Sequence, residues 1–189
     1  MRRAVRSPRG VAGAAAFLLA LPLAALCQAV AGGGGATVIH LALALGAGLM
    51  ACAVFDFRTA RWIAWMGGLA AGGLAVTFLL QAMSELTGNT VLTHVAYRVL
   101  GQRLETWGSD LFLLWCVAVL VLDARGATRI VGWVAMAVVA GVELYAYRLS
   151  SLGGSLDVNA PGLKILYLLP FVWLLLETTK TLHAQQPAS

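Results

Sequence analysis

Residues 62–83 read WIAWMGGLAAGGLAVTFLLQAM, a run without a single Asp, Glu, Lys or Arg. A helix of that length, rising about 1.5 Å per residue, covers the roughly 30 Å of hydrocarbon in a bilayer, whereas a water-facing helix needs a polar face. The run therefore reads as a transmembrane span and sets the fold class: an all-α integral membrane protein. The whole chain agrees with it. Of 189 residues, 60% are hydrophobic and 11% charged, with a mean hydropathy of +0.85. Soluble domains carry roughly 45–50% apolar and about 25% charged residues, so a soluble enzyme, a disordered tail and a secreted disulfide scaffold are all excluded. Cys27, Cys52 and Cys116 lie in apolar stretches, are odd in number and form no CxxC, which makes them small packed hydrophobes.

Outward from this run, five more apolar stretches are expected to span. With it they run from Val11 to Ala31, Thr37 to Phe55, Trp62 to Met83, Trp107 to Leu122, Ile130 to Leu149 and Gly162 to Leu176. Residues 1–189 form one transmembrane domain: a bundle of six helices with a basic N-terminus over 1–10, an outer loop over 84–106 and a polar tail over 178–189. With the N-terminus inside, the cytoplasmic side carries Arg2, Arg3, Arg6, Arg9, Arg58, Arg61, Arg125, Arg129 and Lys180. The outer side carries only Arg98, Arg103, Arg148 and Lys164. That asymmetry predicts both termini in the cytoplasm, and the net charge of +5 reports topology in a cell (inner or plasma) membrane, not nucleic-acid binding. The first stretch has a rival reading as a signal peptide, with Ala29-Val30-Ala31 as a cleavage site; cleavage would leave five spans in the same orientation. A lipoprotein box fits poorly, because Leu26 precedes Cys27.

Inside the spans, Gly67, Gly68, Gly72 and Gly73 make a GxxxG stripe expected to pack helices, and Ala42/Gly46 and Ala44/Gly48 repeat the spacing in span two. The stripe serves packing within the chain, or else packing between protomers or a groove for a substrate. The segment Val54-Phe55-Asp56-Phe57-Arg58 is echoed by Val121-Leu122-Asp123-Ala124-Arg125, each at a cytoplasmic turn where Asp and Arg can form an ion-paired clamp. The echo is similar to the short Asp and Arg turns of major-facilitator transporters and lacks that family's larger glycine-bearing motif. What it implies is a same-orientation repeat of two hairpins, as transporters often carry.

Polar residues near membrane depth fall on the outer side: Gln28, His40, Gln81, Asp110, Glu143 and Lys164. An ionisable group in the membrane is costly unless paired or hydrated, so each marks a candidate site. Glu143 leads, with Tyr145 and Tyr147 beside it and Lys164 or Arg148 as counter-charge. The ligand-binding set is Glu143, His40, Asp110, Lys164 and Tyr147. Spans four and six have short apolar cores, Leu111 to Leu122 and Ile165 to Leu176, which favours a recess on the outer face, and Pro170 is expected to kink span six. The outer loop reads as an amphipathic helix lying on the membrane, with Val91, Leu92, Val95, Ala96, Val99 and Leu100 on its apolar side. It is a surface float or a lid carrying His94 and Arg98.

No GxSxG elbow, HExxH helix, P-loop or dinucleotide fingerprint occurs. His40, His94 and His183 are too scattered for paired haem ligation, so neither a cofactor nor a metal is expected, and catalysis is the less favoured class. Three functions remain. One is a small transporter or binding protein whose polar pocket opens to the extracytoplasmic side. Another is a non-catalytic accessory or assembly subunit, packed on a membrane-protein partner or as a homo-oligomer. The third is an outer-leaflet lipid-modifying enzyme using Glu143 or His40 as acid or base.

Overall fold

The computed structural model describes residues 7–31, 34–151 and 166–179, and every regular element among them is helical. Helix α1 spans Pro8–Ala31, α2 Gly35–Ala53, α3 Arg61–Thr87, α4 Thr90–Thr93, α5 Thr106–Leu122, α6 Ala127–Ser151 and α7 Leu169–Thr178. Between α4 and α5 the chain continues as a π-helix over His94–Glu105. Four segments are long and apolar enough to cross a membrane: Pro8–Val30, Gly35–Asp56, Arg61–Thr87 and Ala127–Leu149. The apolar helices Trp107–Leu122 and Leu169–Thr178 are shorter.

The helices surround an axis as a ring of neighbours: α1 on α2, α2 on α3, α3 on α5, α6 on α7, and α7 back on α1. Helices α5 and α6 touch only sparsely, so the ring has one thin seam. Lipid gives helices no hydrophobic reason to associate, and close packing against small residues must hold them. Trp115 of α5, wholly buried, lies on Gly67 of α3, with indole atoms 2.5 Å from where a Cβ would stand. Its ring packs at 5.3 Å on Phe112 and edge-on at 5.1 Å on Phe57. The same device recurs where Phe17 of α1 meets Gly46 of α2, and where Leu120 and Trp173 meet Gly132 of α6.

Only half of the glycine stripe of span three does this work. Gly67 and Gly68 meet α5 and the end of α2 respectively, whereas Gly72 and Gly73 have no neighbouring atom of the described residues within 4 Å of an added Cβ. The reason is geometric: small residues four apart mark a face, and which part of it is covered depends on where the partner carries its large side chain.

Two further expectations change. Residues 84–106 do not form a long loop: α3 runs on to Thr87, Gly88 turns the chain with φ 63°, and the Asn89 side chain accepts from the amides of Val91 and Leu92 to start α4. This segment, read from the sequence as the outer one, packs on α3 and α5, with Ala96 buried. Pro170 sits in the first turn of α7, where its missing N–H breaks no helical bond, so it starts the helix and does not kink it. Lys164 and the rest of 152–165 lie outside the described residues, as do 1–6 and most of the polar tail.

One end of the bundle collects the start of α1, the end of α2, the end of α5, the start of α6 and the end of α7, tied by polar contacts. Ser7 Oγ donates to Asp56 Oδ2 at 2.6 Å and the Ser7 amide to the Thr178 carbonyl at 3.3 Å. Thr128 Oγ1 donates to Glu177 Oε2 at 2.6 Å, and the Arg58 amide to Asp123 Oδ2 at 2.8 Å. The two echoed aspartates therefore reach across elements, Asp123 to the first turn and Asp56 to the start of α1. Glu177 is fully buried.

The Trp115 contact predicts that Gly67→Val destabilises the protein by about 1–3 kcal/mol through overpacking, and that Gly72→Ala is neutral. Thermal midpoints in detergent measure both; equal losses would refute the assignment of the packing face.

Candidate binding site

The opposite end of the bundle holds the start of α2, the end of α3, the outer segment, the start of α5 and the end of α6, and the outer-side polar residues described there divide into two groups. The first was not visible as a group in the sequence. His40 Nδ1 stands 3.0 Å from Glu85 Oε1, at ion-pair distance though without the alignment of a hydrogen bond. Tyr97 Oη donates to that same oxygen at 2.6 Å. The imidazole is stacked with Phe78 at 6.4 Å between centroids and meets Tyr97 edge-on at 6.0 Å. Both side chains of the His40–Glu85 pair are about four-fifths shielded, at 18% and 21% exposure. A carboxylate in such surroundings is stabilised by charge-assisted contacts, and these tie the outer segment to α2 and α3.

The second group lies at the seam between α5 and α6. A cleft of about 540 Å³ opens there, with Asp110 and Glu143 among its lining residues, Leu114, Val117 and Met136 on its walls, and Trp133 toward the other end. Glu143 Oε1 accepts a 2.7 Å hydrogen bond from Tyr167 Oη, just ahead of α7. Behind the seam, on the ring axis, lies a second cavity of about 240 Å³. Its walls are apolar and aromatic, among them Phe17, Phe78, Phe112 and Phe171, and Ser109 and Tyr167 are its polar lining residues. Phe17 and Phe171 stack at 4.0 Å, and Phe112 follows at 6.2 Å from Phe171. The two spaces adjoin, because Leu113 and Val139 line both.

Of the residues expected to converge, Asp110 and Glu143 line one cleft. His40 does not join them; it faces Glu85 across α2 and α3, and its link to the axial cavity runs through Phe78. Tyr147 and Tyr145 are exposed, at 75% and 60%, and line neither space. Tyr147, four residues on, continues the stripe of Met136, Ala140 and Glu143 one turn past the cleft, and the tyrosine that reaches Glu143 comes from the chain before α7. His94 and Arg98 are exposed on the outer segment, whereas Tyr97 between them points inward to Glu85. The residues missed were Glu85, Tyr97 and Tyr167. Extending α3 to the Gly88 stop would have placed Glu85 one turn beyond Gln81 on the same face, a signal that was available. The pairing with Tyr97 and that of Tyr167 with Glu143 required the tertiary packing.

No group of three or more His, Cys, Asp or Glu side chains suited to a metal ion occurs among the described residues. The arrangement offers binding chemistry: an apolar, aromatic interior reached past two carboxyl groups.

Glu85 is expected to anchor the outer segment. With Cys27, Cys52 and Cys116 replaced by alanine, a cysteine introduced at the buried Ala96 should react slowly with a membrane-impermeant maleimide. Its labelling should rise several-fold on adding Glu85→Ala and less with Tyr97→Phe, which removes one hydrogen bond worth about 1 kcal/mol. An unchanged rate with Glu85→Ala would refute the anchor. Comparison of the chain with protein-family models, curated proteins and solved structures finds no match, so these two adjoining spaces and their residues carry the functional reading.

Proposed function

We propose that the chain is a small six-span protein of the inner or plasma membrane, with both termini in the cytoplasm, that binds a hydrophobic or amphipathic small molecule and moves it in a transport cycle. The observation that carries this reading is the adjoining pair of spaces at the α5/α6 seam, joined at Leu113 and Val139 and bordered by the Glu143–Tyr167 hydrogen bond. Pockets that are mostly apolar with a few convergent polar groups are the usual form of small-molecule sites. A structural bundle has no need for an open axis ringed by four phenylalanines. A seam facing lipid suits a molecule that arrives through the bilayer, and the cleft's two carboxyl groups stand at the end away from the basic turns. The pocket of this reading is polar at its rim and apolar within, which sharpens the sequence expectation of a polar pocket.

The six-span topology is supported by the way successive helix ends alternate between the two poles of the bundle, with Arg9, Arg58, Arg61, Arg125 and Arg129 near one of them. A periplasm-active phosphatase fused after Gly88 should be active, and one fused after Gly126 inactive; the reverse pattern would overturn the orientation.

Binding is tested with the purified chain in lipid nanodiscs and a photoactivatable apolar aryl diazirine. Wild-type protein should be labelled at the cavity residues Phe17, Leu43 and Met50 as well as at the outward-facing Leu41 and Leu45. Ala47→Leu, which fills the cavity, should remove the first set and keep the second. Labelling confined to outward-facing residues in the wild type would sink the reading.

A further inference from the structure

We infer that the molecule taken by the α5/α6 cleft is a lipophilic organic cation, its positive centre held by Asp110 and Glu143 and its apolar body lying along Leu114, Val117 and Met136. This rests on the binding reading above and adds to it the charge of the ligand.

The argument begins with what lines the two spaces. Among the described residues their ionisable carboxyl groups are Asp110 and Glu143, and no described Lys, Arg or His lines either one. Arg148, on the same helix, is exposed five residues past Glu143 and is not part of the cleft. Tyr167 commits only Oε1 of Glu143, and neither Glu143 Oε2 nor the Asp110 carboxylate has a hydrogen-bond or ion-pair partner among the described residues. Both carboxyl groups are exposed at the cleft, and a cation seated there is attracted to them across walls that screen charge less than water does. An anionic occupant is repelled, and a neutral one gains nothing from them.

The kind of cation follows from the walls. A hard metal ion needs several oxygen ligands to replace its water, and no group of three candidate side chains is present among the described residues. An organic cation with dispersed charge sheds water more readily, and its hydrocarbon body gains contact with the apolar walls. The phenol ring of Tyr167, hydrogen-bonded to Glu143, adds a face that attracts cations beside the carboxyl groups. The thin seam gives such a molecule, dissolved in the bilayer, a lateral way in.

The test uses the full chain in nanodiscs of zwitterionic phosphatidylcholine and three probes of one shape: radiolabelled tetraphenylphosphonium, neutral tetraphenylmethane and anionic tetraphenylborate. Saturable binding of the phosphonium and none of the borate is expected. The double variant Asp110→Asn, Glu143→Gln should weaken phosphonium binding by about tenfold or more, while diazirine labelling of Phe17, Leu43 and Met50 persists as proof of folding and of an intact cavity. Ala140→Trp, which fills the cleft and leaves both carboxylates in place, should also abolish phosphonium binding. Equal binding of all three probes, or unchanged phosphonium binding by the double variant, overturns the cation assignment and leaves the binding reading standing. Absence of both phosphonium binding and cavity labelling in the wild type overturns the two together.

Discussion

Everything in this bundle depends on how closely one helix can approach another in a solvent as apolar as their own side chains. Lipid gives no reward for burying leucine, so cohesion comes from dispersion contacts made where a large ring meets a residue without a side chain. Trp115 on Gly67, Phe17 on Gly46 and Trp173 on Gly132 are three instances, each joining a different pair of helices. Between them they link α3 to α5, α1 to α2 and α6 to α7. At the seam of α5 and α6 the comparable contact, Leu120 on Gly132, lies near the basic end, and the cleft opens along the rest of the seam, from Trp133 to Glu143. Cohesion elsewhere and the gap here are two sides of one constraint.

Polar groups then finish what packing begins, at the two ends. At the basic end, short hydrogen bonds from Ser7 and Thr128 to Asp56 and Glu177, with the Arg58 amide on Asp123, lock successive turns together. Glu177 is held entirely inside the protein, a position it can occupy because Thr128 supplies a donor at 2.6 Å. At the other end, Glu85 gathers His40 and Tyr97 and fixes the outer segment against α3. Glu143 and Asp110 differ from these carboxylates. They are exposed along the open cleft at the seam, whereas Glu177 and Glu85 are shielded between helices, and this placement separates a site from a clamp.

The sequence was a good guide wherever a property depends on one segment alone. Span three and the helical character of residues 90–105 were readable because hydropathy and helical spacing act locally. The sequence misled wherever a residue's meaning depends on its partner. Gly72 and Gly73 looked equivalent to Gly67 and Gly68, and only the position of Trp115 on α5 tells them apart. Asp56 and Asp123 looked like members of matching local clamps, and the structure shows each of them reaching another element, to Ser7 and to the Arg58 amide. Tyr147 is four residues from Glu143 and exposed, while Tyr167, twenty-four residues away, makes the hydrogen bond.

The sequence by itself determined the solvent, the helical class and the expected polarity of the chain across the membrane. Apolar run length and the placement of Arg and Lys are properties of single segments meeting lipid and water, and no tertiary contact is needed to read them. Tertiary structure decided which of the scattered polar residues share a space. Helix phase and ring order turn Asp110 and Glu143 to one seam and His40 and Glu85 to another. A shift of one residue in any helix rotates its side chains by more than a quarter of a turn, so convergence is fixed only when large side chains and glycines on neighbouring helices have locked together.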